Sequence, residues 1–496
     1  MQSKRLLLSV ALAVTAMVFG ARSVVAQADA PTSTQTATWS PQPWLDDLQQ
    51  IQQTMNSKYA NLQWLTETRQ VNVAGLFTDA ETRLRSAGND AEARAVFDRL
   101  LRKIDDGHVV IDWPHPNAPS PMATSGEPTE DDFCRALGYA TKPGVINVAA
   151  GLKGYRALDA DPTFPAGLVT VAGRQIGVVR LEVFMPEHSP ALCRDAVRKL
   201  KPSLAAPCSA RCQDGIGNLA YAAMTTLLED RIGALKAAGA SVLIVDITNN
   251  GGGSEWAEAV ARMLSSRELV SEHQGFVRGP LWANHWADVS KQLRAFAPRA
   301  KPQDRRTLMA WSAQADRAQR QAEQQCPASG NCEWLGRAGY ATGLVGSAGA
   351  SAFSGKPWGP AVFTPAEFLY HDGVWSGPLL ILVDQGTFSA AEEFASVLQD
   401  NRLAFIAGAR TGGAGCGHTD GGSSTVLTHS GATFEVPDCA RFRRDGSNEV
   451  NGVIPDYLIP WRADDGALFK AHLLENALPQ ILRQMQTHRD HAERKS

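Results

Sequence analysis

The chain has 496 residues, 44% hydrophobic and 20% charged, enough to bury a large core in two or three domains. A formal net charge of −3 and an ordinary glycine and proline content exclude a nucleic-acid-binding, disordered or collagen-like chain. The first residues read as an address. Lys4 and Arg5 precede an apolar run from Leu6 to Gly20 and a small-residue site at Val24–Ala26, the pattern of a secretory leader cut after Ala26. No cysteine lies near that cut, which argues against a lipid anchor, and no later stretch stays apolar long enough to span a bilayer. The mature chain is expected to be exported, periplasmic or extracellular, without an integral membrane segment.

All 8 cysteines follow the cut, and an even count in an exported chain argues for disulfides. Metal binding is the rival reading, but no histidines accompany them at zinc spacing, so no metal is expected. The sequence alone permits about a hundred pairings. Cys208 with Cys212 and Cys326 with Cys332 are the close pairs. Cys416 with Cys439 would tie down a glycine-rich loop, which leaves Cys134 and Cys193 as partners.

Residues 27–43 are rich in Pro, Thr and Ser and read as a linker. From 44 to 111 apolar residues recur at helical spacing (Trp44, Leu48, Ile51, Met55; then Phe97, Leu100, Leu101, Ile104), and Asn89-Asp90 supplies helix-start chemistry. This predicts an N-terminal helical domain ending in the turn Asp105-Asp106-Gly107-His108, which runs into a strand. Residues 112–174 read as a connector of loops and short strands at 145–148 and 168–172.

From 175 to 480 strands and helices alternate, which predicts an α/β core. Strands are expected at 175–183, 241–247, 378–383 and 403–408, helices at 218–237, from 255 and from 389, a hairpin over 424–436, and a closing helix over 468–485. Residues 280–340 interrupt this core as a tryptophan-bearing helical insertion, either a lid over a cleft or plain decoration. Residues 481–496 form a charged tail.

Two strand–glycine turn–helix corners carry the candidate chemistry. In the first, the strand 241–247 breaks into Asn249-Asn250-Gly251-Gly252-Gly253. No Gly-Lys-Ser/Thr accompanies it, so a phosphate cradle is excluded, whereas exposed backbone N–H groups there suit an oxyanion or form a plain turn. In the second, Pro378–Val383 leads through Gly386-Thr387-Phe388-Ser389 into a helix. Ser389 with Glu392 fits a capping box, and Ser389 also stands where a fold can hold out a nucleophilic hydroxyl at a positive helix end. His108 reads on position alone as a solvated turn histidine.

Four segments in order resemble the tail-specific (C-terminal processing) serine peptidase family: the Asp106-Gly107-His108 turn, Asn250–Gly253, Gly386–Glu392, and Glu449-x-x-Gly452-Val453-x-Pro455-Asp456. The resemblance covers roughly 44–111 and 175–480 and implies a crotonase/ClpP-like core. It also implies a serine-type hydrolase that cleaves peptide or protein substrates without a cofactor. Family members that use a Ser/Lys pair carry the lysine in a Gly-Lys-Gly loop after the serine. Here that loop is Gly413-Ala414-Gly415, and no lysine occurs between Lys356 and Lys470. The tricorn-like branch instead draws a histidine from the N-terminal side and a glutamate from the Gly-Val-x-Pro-Asp loop, which implies Ser389, His108 and Glu449 as the catalytic set.

Backbone N–H groups of Gly252 and Ala390 are then the expected oxyanion donors, and His418 is the alternative base. Residues 112–174 lack the signature of the PDZ domain that many members carry, so capture of a free C-terminus is not implied. The competing readings are a catalytically silent ligand- or protein-binding member of the same fold and a structural module of the cell envelope.

Overall fold

A computed structural model of the chain describes residues 39–114, 128–141, 147–159, 162–324, 333–419 and 422–493, with side chains up to Thr487. The expected leader, most of the linker, Cys326 and Cys332, and part of the strand expected at 145–148 lie outside these residues. Three helices come first: α1 (Gln42–Lys58), α2 (Val73–Ser86) and α3 (Asp90–Ile104). Asn72 and Asn89 start the second and third, each side chain accepting a first-turn N–H that the helix cannot satisfy itself. Asp105 ends α3 in the left-handed conformation and turns the chain into β1 (Val110–Asp112).

The short α4 (Glu130–Ala136) precedes β2 (Arg156–Ala157), β3 (Ala166–Val171) and β4 (Arg174–Arg180). Next come α5 (Pro190–Leu200), α6 (Ala210–Ala237), β5 (Val242–Asp246), α7 (Trp256–Met263) and β6 (His273–Val277). The 280–340 stretch holds α8 (Pro280–Phe296), α9 (Pro302–Glu323) and the start of β7 (Leu335–Tyr340). The chain then runs through β8 (Leu379–Val383), α10 (Ala390–Asp400) and β9 (Phe405–Gly408). It closes with β10 (Thr425–Val426), β11 (Thr433–Glu435), β12 (Cys439–Phe442), β13 (Tyr457–Leu458) and α11 (Ala467–Glu493).

The fold is mixed α/β around a seven-stranded sheet of order β13-β9-β8-β5-β4-β3-β2. The pairings from β13 to β4 are parallel and the two beyond β4 are antiparallel. Both faces of the parallel strands are covered, which is why they read as unbroken apolar runs. Leu243, Val245, Leu379, Ile381 and Val383 face α6, α7 and α10, while Val242, Ile244, Leu380 and Leu382 face α11. A third core joins α8 and α9 through Trp282, Trp286, Leu293 and Leu308.

Two small sheets, β1-β11-β10 and β12-β6-β7, flank the large one. The second was not foreseen, because Gly275, Gly336 and Gly339 interrupt the alternation that signals a strand. Helix α6 also begins eight residues before the expected Asn218, at Ala210. Its Ser209 cap accepts from Cys212 N (3.4 Å), inside what reads as a cysteine loop. At 147–148 the described residues are not a strand and lead into a single 3-10 turn, Ala149–Gly151.

Candidate active site

Asp384 directly follows strand β8, and this carboxylate shapes the corner. Its oxygens accept from Gly386 N (3.0 Å), from Asn249 N of the neighbouring strand end (2.7 Å) and from Lys470 Nζ (2.7 Å). Gly386 is needed for close approach rather than for a special dihedral, since a Cβ there would sit 2.5 Å from Asn249 Oδ1. Thr387 Oγ1 donates to Ile247 O (3.0 Å), and Phe388 N donates to Asn250 O (2.9 Å). The strain falls on the next residue. Ser389 has φ 55° and ψ −124°, a conformation that a side-chain-bearing residue adopts only when its surroundings force it. It stands partly exposed immediately before α10.

The glycine turn after β5 presses directly on this corner. Gly252 has φ +102°, and a Cβ on it would lie 2.7 Å from Ser389 Cβ and 3.0 Å from Ala390 N. Of the two expected oxyanion donors, Ala390 N–H has no acceptor among the described residues. Gly252 N–H does have one: it donates to Asn250 Oδ1 (2.9 Å), whose amide in turn donates to Leu181 O (3.0 Å). In this structure the Gly252 donor is therefore engaged within its own turn, which departs from the free donor the sequence suggests.

Glu392 joins Ser389 to the Gly413–Gly415 loop. Its buried carboxylate accepts from Ser389 N (3.1 Å), Gly413 N (2.7 Å), Ala414 N (2.8 Å) and Thr411 Oγ1 (2.5 Å). Burial and the nearby Glu449 push its pKa up to about 7, against those hydrogen bonds. The loop so held turns the Ala414 carbonyl toward His108, whose Nδ1 lies 2.8 Å from it. A carbonyl can only accept, so Nδ1 carries the proton and Nε2 keeps its lone pair. Burial lowers the His108 pKa to about 4, with the Ala414 bond opposing and the His418 and Arg441 charges reinforcing the shift.

The His108 turn is itself anchored. Asp106, buried, accepts from His108 N (3.0 Å), Tyr59 Oη (2.8 Å) and Asn61 Nδ2 (3.0 Å). A Cβ on Gly107 would meet the Phe388 ring at 3.2 Å, so this turn abuts the residue preceding Ser389. The His108 ring lies against Gly417, where a Cβ would come within 2.9 Å of both Cε1 and Nε2. His418 is its neighbour, with ring centroids 5.6 Å apart, and has Nδ1 3.9 Å from Glu435 Oε2. Neither histidine is hydrogen-bonded to Ser389 among the described residues.

Glu449 makes no hydrogen bond or ion pair with His108 among the described residues. It is buried against Arg441 Nε and accepts from Ser396 Oγ (3.3 Å). Arg441 also binds Glu393 through Nη1 (2.8 Å), while its Nη2 donates to the carbonyls of Ser389 (3.1 Å) and Gly415 (3.0 Å). Burial opposes the Arg441 charge, but Glu393, Glu449 and Glu272 together hold its pKa above the ordinary range. Burial raises Glu393 to about 8 and Glu272 well above the usual carboxylate range. Sequence reading missed Arg441, Glu393 and Glu272 entirely. Glu392 carried a signal, the capping spacing, which pointed to a cap alone.

Disulfides join Cys134 to Cys193, Cys208 to Cys212, and Cys416 to Cys439. The last ties the loop beside Ala414 to the strand that bears Arg441. Among the described residues no helix is long and apolar enough to cross a membrane, and no cluster of three or more His, Cys, Asp or Glu side chains could hold a metal ion.

Residues 215–459 match the model of peptidase family S41. The expected resemblance to the tail-specific peptidases therefore holds over the core that contains both corners. Mature CPAF has a similar structure at TM-score 0.57 and 13% identity, covering 90% of this chain and 98% of that one. Its complex with lactacystin aligns at TM-score 0.56 and 15% identity, covering 90% and 99%. The photosystem II D1 C-terminal processing protease aligns at TM-score 0.32 and 16% identity, covering 86% and 96%. No curated protein sequence matches the chain.

Proposed function

We propose that this relative of the S41 peptidases is an exported serine peptidase on a crotonase/ClpP-like core, acting through an acyl-enzyme on Ser389 with His108 as general base. The observation that carries the reading is the Ala414 carbonyl bound to His108 Nδ1 at 2.8 Å, beside a serine held in a strained pre-helix conformation. That bond selects the tautomer with Nε2 free to take a proton, and burial keeps the ring neutral at physiological pH. The loop that carries a lysine in Ser/Lys relatives here contributes a main-chain carbonyl instead.

Attack of Ser389 Oγ on a peptide carbonyl would pass its proton to His108 Nε2 and leave a tetrahedral oxyanion. Ala390 N–H, at the positive end of α10, is available to that oxyanion, and Gly252 N–H would join it on leaving Asn250 Oδ1. The proton then goes from His108 to the leaving amine, the acyl-enzyme forms, and water attacks it by the reverse route. Glu449 acts as a positioning residue, because its hydrogen-bonded link to Ser389 runs through Arg441 to the serine carbonyl.

Labelling with a fluorophosphonate tests this reading. Wild type should react, Ser389→Ala should not, and His108→Ala should react slower by orders of magnitude. Loss of labelling in His418→Ala with retention in His108→Ala would move the base to His418. A catalytically silent binder has one observation in its favour, the lack of a hydrogen bond from Ser389 to either histidine, and it predicts no serine-dependent labelling.

A further inference from the structure

Two buried side chains of opposite sign bridge the same pair of segments. The Glu392 carboxylate gathers N–H groups, those of Ser389, Gly413 and Ala414. Arg441 gathers carbonyls, those of Ser389 (3.1 Å) and Gly415 (3.0 Å), on the single nitrogen Nη2. The bond to Ser389 O is not needed to satisfy that oxygen. Glu392 N (2.9 Å) and Glu393 N (3.1 Å) already donate to it from the first turn of α10, one for each lone pair. A third donor that is also charged costs the burial of a guanidinium, which Glu449 at Nε and Glu393 at Nη1 (2.8 Å) offset.

Ser389 O and Ala390 N–H belong to one peptide group. That group is trans, so its N–H points opposite to the carbonyl and away from Arg441. Ala390 N lies beside the glycine turn, 3.0 Å from where a Cβ of Gly252 would stand. A cation hydrogen-bonded to a carbonyl draws electron density from the whole amide, which makes its N–H a stronger donor. Gly415, whose carbonyl takes the other hydrogen of Nη2, directly follows Ala414, the residue that holds His108 Nδ1. One nitrogen thus meets both the peptide of the expected oxyanion donor and the loop that places the base.

We propose that Arg441 is a positioning residue for the acyl transfer: it polarises the Ser389–Ala390 peptide toward the oxyanion and ties that peptide to the His108 loop. The proposal rests on the peptidase reading for the roles of Ser389 and His108. Arg441→Lys separates this role from the balancing of buried charge. The ammonium stays among Glu449, Glu393 and Glu272, so the acids keep their counter-charge. It ends one bond short of Nη2 and gives up both carbonyls.

Turnover of p-nitrophenyl acetate and fluorophosphonate labelling to completion, which counts competent sites, provide the test. Arg441→Lys should label to the same final extent as wild type. Its kcat per labelled site should fall at least about tenfold, with KM within about twofold. A scaffold role would instead lower the labelled fraction and spare the rate per site. Glu449→Gln, which loosens Nε and removes no main-chain bond, should lose less, and the double variant no more than Arg441→Lys alone.

A wild-type kcat per site in Arg441→Lys, a loss confined to KM or to the labelled fraction, or losses that multiply in the double variant would overturn the proposal. If Arg441→Lys fails to fold, Glu449→Gln decides: a lower kcat per site at unchanged KM supports the tether, and an unchanged kcat overturns it. If wild type is inert toward both probes, the catalytic reading falls and takes this role with it.

Discussion

Gly417→Ala isolates the placement of the proposed base. Gly417 has φ +82°, and the added Cβ would lie 2.9 Å from both Cε1 and Nε2 of His108. Non-bonded carbon atoms prefer about 3.5–4.0 Å. The ring must retreat by at least about 0.6 Å, away from a position fixed by its 2.8 Å bond to Ala414 O. A misplacement near 1 Å in a catalytic group typically costs about 10²-fold in rate.

The backbone effect has to be separated from the clash. A non-glycine residue in this region loses roughly 1–2 kcal/mol of stability from its dihedrals alone. Gly446→Ala supplies that control, because Gly446 has φ +86° and a Cβ there would meet nothing within 4 Å. Gly417→Ala should lose at least as much stability as Gly446→Ala in urea titrations, the excess being the cost of displacing the ring. Only Gly417→Ala should lose about two orders of magnitude in the rate of fluorophosphonate labelling. If Gly417→Ala labels as fast as Gly446→Ala, the His108 ring position is irrelevant to Ser389 and the assignment of the base is wrong.

The pH dependence has two parts of opposite sign. His108 must be neutral to accept a proton, and its pKa of about 4 moves the acid limb of kcat/KM well below pH 6; a limb centred near 6.5 would mean an unshifted base. Glu393 and Glu392, raised to about 8 and about 7, hold protons that the unfolded chain releases near pH 4.5. Stability should therefore fall as pH rises from about 5 toward 8, and Glu393→Gln should flatten that decline in melting curves; an unchanged slope would refute the linkage. His108 works the other way, because its lowered pKa makes stability fall as pH drops from 6.5 toward 4. Replacing Cys134 and Cys193 by alanine removes a crosslink over 59 residues and should cost about 4 kcal/mol, against about 2 for the four-residue Cys208–Cys212 link. Equal melting temperatures for the two double variants would contradict the loop-closure argument.

The large sheet was legible because strands buried on both faces leave unbroken apolar runs, and the corners were legible because strand, glycine and helix follow one another in sequence. The reason for a glycine was less so. Gly386 reads as a turn residue, yet the unusual φ belongs to Ser389, and Gly386 is small because Asn249 packs against it. Close approach between segments far apart in the chain has no local signature. The same holds for the Arg441 cluster, where Glu272, Glu393 and Glu449 come from three separate elements. Each acid alone reads as surface charge, and only folding makes their burial depend on one guanidinium.

The Gly413–Gly415 loop is the sharpest case. Its missing lysine was visible as a letter, which suggested a lost function. The structure supplies a main-chain carbonyl at that position, oriented because Glu392 gathers the loop's N–H groups. Such a role belongs to the backbone and fits any residue whose side chain clears Gly107, against which the Ala414 Cβ already packs at 3.3 Å from a Cβ built there. Glu392, not residue 414, is then the position where this chemistry constrains the sequence, and it is the position that looked most like an ordinary helix cap.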